Sequence, residues 1–283
     1  MKLKYWAMGV AVLAGASVVG FYSIFTIPKQ PQIISIHQQD SSSNWYCHQS
    51  ESQPDAIDNQ GNLDLMVWNI HKQADPGWQQ ALSQFSQDKQ LILLQEASLS
   101  SKLKEWVDLQ DWGASYVNAF KAFGVSAGVL NLASQMPIRA CAYTSVEPWI
   151  MLPKSALYAR YRLSNGQDLV VINVHAINFT VGTKEFEQQI EQLEKAVKKH
   201  QGPLIAAGDF NTWSETRLEE LRRITGSLGM KEVAFTPDNR KVFLNDLPFD
   251  HVFYRGLTMV SASSPTTSAS DHNPLLVSFR LEH

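Results

Sequence analysis

Short apolar runs set the rhythm of this chain from Leu63 onward. Leu91-Ile-Leu-Leu94 and Leu204-Ile-Ala-Ala207 contain no polar position and read as buried strands. Leu63, Leu65, Val67 and Ile70 mark a strand of mixed burial, and Gly128-Val-Leu-Asn-Leu132 is another, ending in Met136-Pro137-Ile138. Leu157–Leu163 and Leu169–Val174 flank Ser164-Asn165-Gly166, and an Asn-Gly pair between two apolar runs predicts a hairpin. Strands over 251–254 and 275–280 close the domain. Trp78, Leu82 and Phe85 fall at helical spacing behind Asp75-Pro76, which places Pro at the first helical position. Phe186, Ile190, Leu193 and Val197 give a second amphipathic helix, with Thr183 as its cap. A third helix is expected from about Glu215 to Thr225. Several connections are too short for βαβ crossovers, so the pattern predicts a mixed α+β arrangement with helices covering two packed sheets.

The N-terminal part follows other rules. Tyr5 to Ile27 holds no charged residue and is preceded by Lys2 and Lys4. A membrane-spanning helix needs ~20 apolar residues. The expectation is an uncleaved anchor over 5–27, with residues 1–4 cytoplasmic and the remainder on the periplasmic side of a bacterial inner membrane. The alternative is a weakly hydrophobic helix on a cytoplasmic protein. Residues 28–62 are rich in Gln, Ser, Asp and Pro and read as a linker in which Trp45-Tyr-Cys47 could dock locally. The organised domain is expected over 63–283. The net charge of −3 advertises no polyanion partner; a nucleic-acid substrate is allowed but not signalled. Cys47 and Cys141 are the two cysteines, without metal-ligand spacing. Two free thiols are the default and a disulfide is the alternative.

Polar clusters end the expected strands: Trp68-Asn69-Ile-His71-Lys72, Gln95-Glu96, Asn173-Val-His175-Ala-Ile-Asn178, Gly208-Asp209-Phe-Asn211, Phe249-Asp250-His251 and Ser270-Asp271-His272-Asn273-Pro274. In an extended segment residues i and i+2 point the same way, so Asp209 and Asn211 would project together. Taken alone, Gly-Asp-Phe-Asn is equally a turn. The set as a whole fits hydrolysis of a phosphate ester. A divalent cation on hard oxygen ligands neutralises the phosphate, and amides and imidazoles hold the oxygens where charge grows. An Asp orients or deprotonates water, and an Asp–His pair fixes a tautomer.

The order Asn69, Glu96, His175, Gly208-Asp-Phe-Asn211, Asp250, Ser270-Asp-His272 resembles the endonuclease/exonuclease/phosphatase superfamily. Val67-Trp-Asn-Ile70, Leu94-Gln-Glu-Ala97, Asn173-Val-His-Ala-Ile-Asn-Phe179 and Ala269-Ser-Asp-His-Asn-Pro-Leu-Leu276 resemble its bacterial YafD-like branch. The resemblance covers about residues 63–281 and implies a four-layer α/β/β/α sandwich. It implies Glu96 as the principal metal ligand with Asn69 beside it, Asp271 as a second metal-side carboxylate, and Mg²⁺ (or Mn²⁺) as the ion. By the same resemblance Asp209 activates water, Asn211 binds the scissile phosphate, and His272 pairs with Asp250. His175 matches the deoxyribonuclease-like variant, and Lys154 and Asn178 match weaker phosphate contacts. For Lys154, as for His71, Lys72 and His251, an ordinary surface or structural role is nearly as good a reading. His251, as strand neighbour of Asp250, should point away from it.

Two departures weigh against duplex DNA. Nothing between Ser115 and Lys121 supplies an acidic partner for His175, and Gln135 stands after Ser134 where an Arg is common in the family. Segments 111–127 and 233–249 are expected to be loops that set specificity. The implied activity is a phosphodiesterase or endonuclease. The alternatives are a phospholipid phosphodiesterase or phosphatase and, remotely, a non-catalytic binding module. The implied partner is a phosphoester, either nucleic acid or a phospholipid head group, with the membrane reached through the anchor and no obligate protein partner.

Overall fold

Alternation along the strands decides the layers. In the computed structural model, β5 (Asn62–Asn69) turns Leu63, Leu65 and Val67 one way and Met66 and Trp68 the other. β11 (Asp168–His175) does the same with Leu169 and Val171 against Val170, Ile172 and Val174. The first set from each strand meets between two sheets, and the second set meets helices. The structure describes the chain except residues 1–5, 7–14, 38–39, 51–53, 111, 181, 243–244 and 283.

The first sheet runs β15 (Leu257–Ser263), β16 (Leu275–Leu281), β5, β6 (Leu91–Ser98), β8 (Val125–Ala133), β7 (Gly113–Ala122), β2 (Gln32–His37), β3 (Asp40–Trp45), with β1 (Phe25–Thr26) also on β7. The second runs β13 (Lys231–Glu232), β14 (Asp250–Arg255), β12 (Leu204–Asp209), β11, β10 (Pro153–Arg162), β9 (Arg139–Val146), β4 (Cys47–Gln49). Helices α2 (Trp78–Phe85) and α3 (Ser101–Leu109) bury Trp78, Leu82, Leu103 and Trp106 on the outer face of the first sheet. Helices α4 (Lys184–Val197) and α5 (Glu215–Ser227) bury Phe186, Ile190, Leu193, Leu221 and Ile224 on that of the second. This is the α+β, four-layer α/β/β/α sandwich expected.

Several local expectations are revised. The helix behind Asp75-Pro76 begins only at Trp78, after Gly77 in a left-handed conformation (φ 81°). Thr183 precedes α4, but its hydroxyl donates to Glu187 rather than accepting from the backbone. Most of 111–127 is not a loop: β7 and β8 form a hairpin there, turning at Phe123-Gly124. Within 28–62, strands β2, β3 and β4 extend both sheets. Cys47 and Cys141 are register partners on β4 and β9 and form a disulfide, so the default of two free thiols is replaced.

The expected membrane anchor is also corrected. No helix among the described residues is long and apolar enough to cross a membrane. Residues 15–24 are helical (α1) and pass directly into β1, which pairs with Ala122 and Lys121. Most of the first half of the 5–27 stretch lies outside the described residues.

Candidate active site

The inward register of the core strands continues past the apolar layer. At one end of the sandwich the inward positions stop being Leu and Val and become Asn69, Asn173, His175, Asp209 and Asp250. Because Asp250 opens β14, the antiparallel partner of β12, it lies directly across from Asp209. His251 points to the opposite face, as expected, where it meets Glu232 (2.8 Å) and Thr212 (2.7 Å).

Glu96 reaches the site by an irregularity. The pairing of β6 with β8 slips between Leu94 and Ala97, and Glu96 adopts φ 51°. Such a bulge re-aims a side chain that regular alternation would send elsewhere. Here Leu94 and Ala97 both face the helix layer while Glu96 faces Lys72 and His175. Beneath it a buried amide ladder ties the sheets together. Gln95 Nε2 donates to Asn173 Oδ1 (2.7 Å), and Asn173 Nδ2 donates to Asn131 Oδ1 (2.9 Å) and to the carbonyls of Leu94 and Leu130 (both 3.2 Å).

Gly208-Asp-Phe-Asn211 is both turn and site. Gly208 has φ 139°, and a Cβ there would lie 2.0 Å from the Val174 carbonyl oxygen on β11. Asp209 ends β12. One of its oxygens accepts from the backbone N–H of Asn211 (3.0 Å), closing an Asx turn, and the other accepts from Asn69 Nδ2 (3.0 Å). Asn211 is therefore left-handed (φ 51°), not the next inward residue of a straight strand. Its side-chain amide gives one hydrogen to the Ala176 carbonyl (2.9 Å).

His272 Nδ1 hydrogen-bonds Asp250 Oδ2 at 2.7 Å, and its Nε2 lies 3.9 Å from Asp209 Oδ2. Ser270 fixes the approach, donating to the Asn69 carbonyl (2.7 Å) and accepting from His272 N (3.2 Å). Burial pushes the His272 imidazolium down, but the charge and hydrogen bond of Asp250 and the charge of Asp209 outweigh it and hold the ring up at about 9. His175 goes the other way. Burial and the neighbouring Lys154 lower it to about 4, against Asp209 and Glu96. Lys154 Nζ lies 2.8 Å from His175 Nε2, and an ammonium has only protons to give, so Nε2 is the acceptor. Glu96 and Asp209 stand 3.6 and 3.7 Å from that same nitrogen. His175 thus has carboxylates near it, though none comes from 115–121. Burial raises Glu96, yet His175, Lys72 and Lys154 together hold its carboxyl well below the usual range.

Not every expected residue joins this group. Asp271 is half exposed, paired with Lys241 and 3.9 Å from His71 Nδ1. Asn178 contributes its backbone, whose N–H donates to buried Glu147 (2.5 Å). Glu147 and Arg217 were missed, and Lys72 was weighed only as a phosphate contact or an ordinary surface lysine. Lys72 swings onto Glu96 through a left-handed run at 71–73. Glu147 lies behind the rim. Arg217, fully buried, donates to the carbonyls of Ile177, Asn211 and Asn178 and to Thr180 Oγ1. Its one sequence signal is a lone Arg on the apolar face of α5.

A divalent metal fits this chemistry. Asp209, Asp250 and His272 each present a ligand atom within 4.8 Å of the others, and Asp250 Oδ1 is buried without a hydrogen-bond partner among the described residues. Asp250 and His272 are already bound to each other, however, whereas Glu96 faces the ammonium groups of Lys72 and Lys154 and the imidazole of His175. Glu96 and Asn69 offer a second set of hard oxygen donors that could hold a cation.

Residues 66–272 match the family model described as "Endonuclease/Exonuclease/phosphatase family". The chain belongs to that family. Family members are generally hydrolases and usually use divalent metals. The chain is 51% identical to a UPF0294 protein of Vibrio cholerae over 281 residues, which is 99% of both chains. Among solved structures, an endonuclease/exonuclease/phosphatase from Bacteroides vulgatus superposes with a TM-score of 0.61 at 18% identity, covering 78% of this chain and 99% of that one. ANGEL2, a 2',3'-cyclic phosphatase, gives 0.63 at 14% identity, covering 83% and 100%. At these identities the two structures speak to the family fold alone.

Proposed function

We propose that this chain hydrolyses phosphodiesters with the help of a divalent metal, Mg²⁺ by preference. One observation carries the reading: both oxygens of Asp209 are held, by Asn69 and by Asn211 N–H, beside the paired His272–Asp250. A carboxylate fixed in this way is aimed at a water rather than at a counter-ion. Glu96, with Asn69 beside it, would hold the metal. When bound, the metal neutralises the phosphate and stabilises charge on its oxygens. Asp209 orients the attacking water and draws off its proton. Asn211 offers its remaining amide hydrogen to a phosphoryl oxygen. His272, protonated at neutral pH and steadied by Asp250, is placed to protonate the departing oxygen. His175 accepts from Lys154 and so holds that ammonium towards the phosphate. The cyclic phosphatase activity named for ANGEL2 supports phosphoester chemistry on this fold.

The test is turnover of bis-p-nitrophenyl phosphate with Mg²⁺ or Mn²⁺. Replacing Asp209 by Ala should lower kcat by ~10²–10⁴-fold, the contribution of a positioned acid–base group, and excess EDTA should abolish turnover. Full activity in EDTA, or an Asp209→Ala protein as fast as the parent, overturns the proposal.

A further inference from the structure

Beside the corner formed by Glu96, His175 and Lys154 lies a cleft of about 320 Å³. Its lining mixes two chemistries. Lys72, Lys154, Glu96 and His175 give its lining charge, whereas Phe120, Ile150, Leu152 and Phe179 give it apolar surface. Ile150 and Phe179 are 41% and 51% exposed, and Trp149 beside them is 65% exposed. Large apolar side chains gathered in solvent at the lip of a cleft mark a contact surface.

The walls are braced. A single oxygen of Glu147 accepts from the N–H groups of Asn178 (2.5 Å) and Phe179 (3.2 Å). This ties the β9–β10 connection, which carries Ile150, to the loop that carries Phe179. The Phe120 ring packs edge-on against Phe25, 6.0 Å between centroids, where the N-terminal segment joins the β7–β8 hairpin.

We infer that this cleft binds the substituent of the ester: one uncharged apolar group about the size of an aromatic ring. The group rests on Phe120, Ile150 and Phe179 while its phosphate meets Lys154 and Lys72. The inference rests on the phosphodiester reading above for the identity of the anion. Charge and size carry it. Lys72 and Lys154 are the cations among the described residues that line the cleft, and each already faces Glu96 or His175. A second phosphate, as in a polynucleotide, would find no further cation in the cleft to neutralise it. A cavity of roughly 150 Å³ accepts a benzene, so this cleft has room for one ring and one phosphate.

Calorimetric titration of the full chain with phenyl phosphate and with methyl phosphate tests this directly. Phenyl phosphate should bind at least tenfold more tightly, about 1.4 kcal/mol. In the Ile150→Ala/Phe179→Ala variant the two affinities should converge to within about twofold, the scale of ordinary context variation between similar ligands. Both side chains are largely in solvent, and far-ultraviolet circular dichroism checks that the variant folds. Equal binding of the two phosphates, no binding of phenyl phosphate, or a preference that survives the double substitution overturns the subsite. Turnover of bis-p-nitrophenyl phosphate is read separately. A parent chain that shows the phenyl preference but no metal-dependent turnover overturns the hydrolase reading and leaves the subsite standing.

Discussion

The two ends of the layer between the sheets are built from the same strands and do opposite things. On β5, Leu63, Leu65 and Val67 lead to Asn69; on β11, Leu169 and Val171 lead to Asn173 and His175; on β12, Ile205 and Ala207 lead to Asp209. At the apolar end, stability comes from area removed from water. At the polar end the same inward register buries amides, carboxylates and imidazoles, which is tolerable only where each finds a partner. The site is thus the core continued in a different alphabet. The apolar end holds the frame rigid, and the polar end uses that rigidity to keep charged groups at chosen distances.

The sharpest way to break this comparison is a change that silences one end and spares the other. His272→Ala should lower kcat by ~10²–10⁴-fold, with thermal unfolding still a single cooperative transition. Loss of cooperative folding instead would show that the polar end is part of the frame. Leu65→Ala, at the other end, should cost about 2–5 kcal/mol of stability by denaturant titration, with kcat per folded molecule close to the parent's.

The amide ladder lies between the two ends and should behave as a hybrid. Asn173→Ala leaves Gln95, Asn131 and two carbonyls without their partner, a cost of about 1–3 kcal/mol. It should also raise the metal concentration needed for half-maximal activity, because Glu96 sits next to Gln95 on the bulge. A stability loss with unchanged metal dependence would confine the ladder to the frame.

The mildest expected effect is on pH dependence. His272 is raised to about 9. The stability it contributes is therefore complete below its ordinary pKa of about 6.5 and is lost as pH rises through about 9. Asp250→Asn removes the main group that raises it, so the alkaline limb of both stability and kcat/KM should move to lower pH. An unmoved limb would mean that another group sets it.

Particular residues show how much was legible beforehand. The β10–β11 hairpin, α4, α5 and the burial of Leu91–Leu94 follow from spacing, because side chains repeat with the period of the backbone. Gly208-Asp-Phe-Asn211 announced a turn and a site without choosing between them; the Asx turn makes it both. Glu96 was nameable as a residue, but its direction depends on a bulge that no local pattern encodes. Lys72, Glu147 and Arg217 act on partners 24 or more residues away or across several loops, and such contacts leave no periodic trace. The strands within 28–62 were missed because their composition is polar and their pairing is to β7 and β9, far along the chain.

By itself, then, the sequence determined the alternation that splits each strand into a core face and a helix face. It also determined the list of polar residues that end those strands, because both are local properties of the chain. Tertiary structure decided which of those residues share one space. It joined Asp209 to Asn69 and His272 to Asp250, set Asp271 apart with Lys241, and closed Cys47 on Cys141. The physical reason is that a hydrogen bond or an ion pair depends on distance through space, and only the tertiary fold fixes that distance between positions 22 to 140 residues apart.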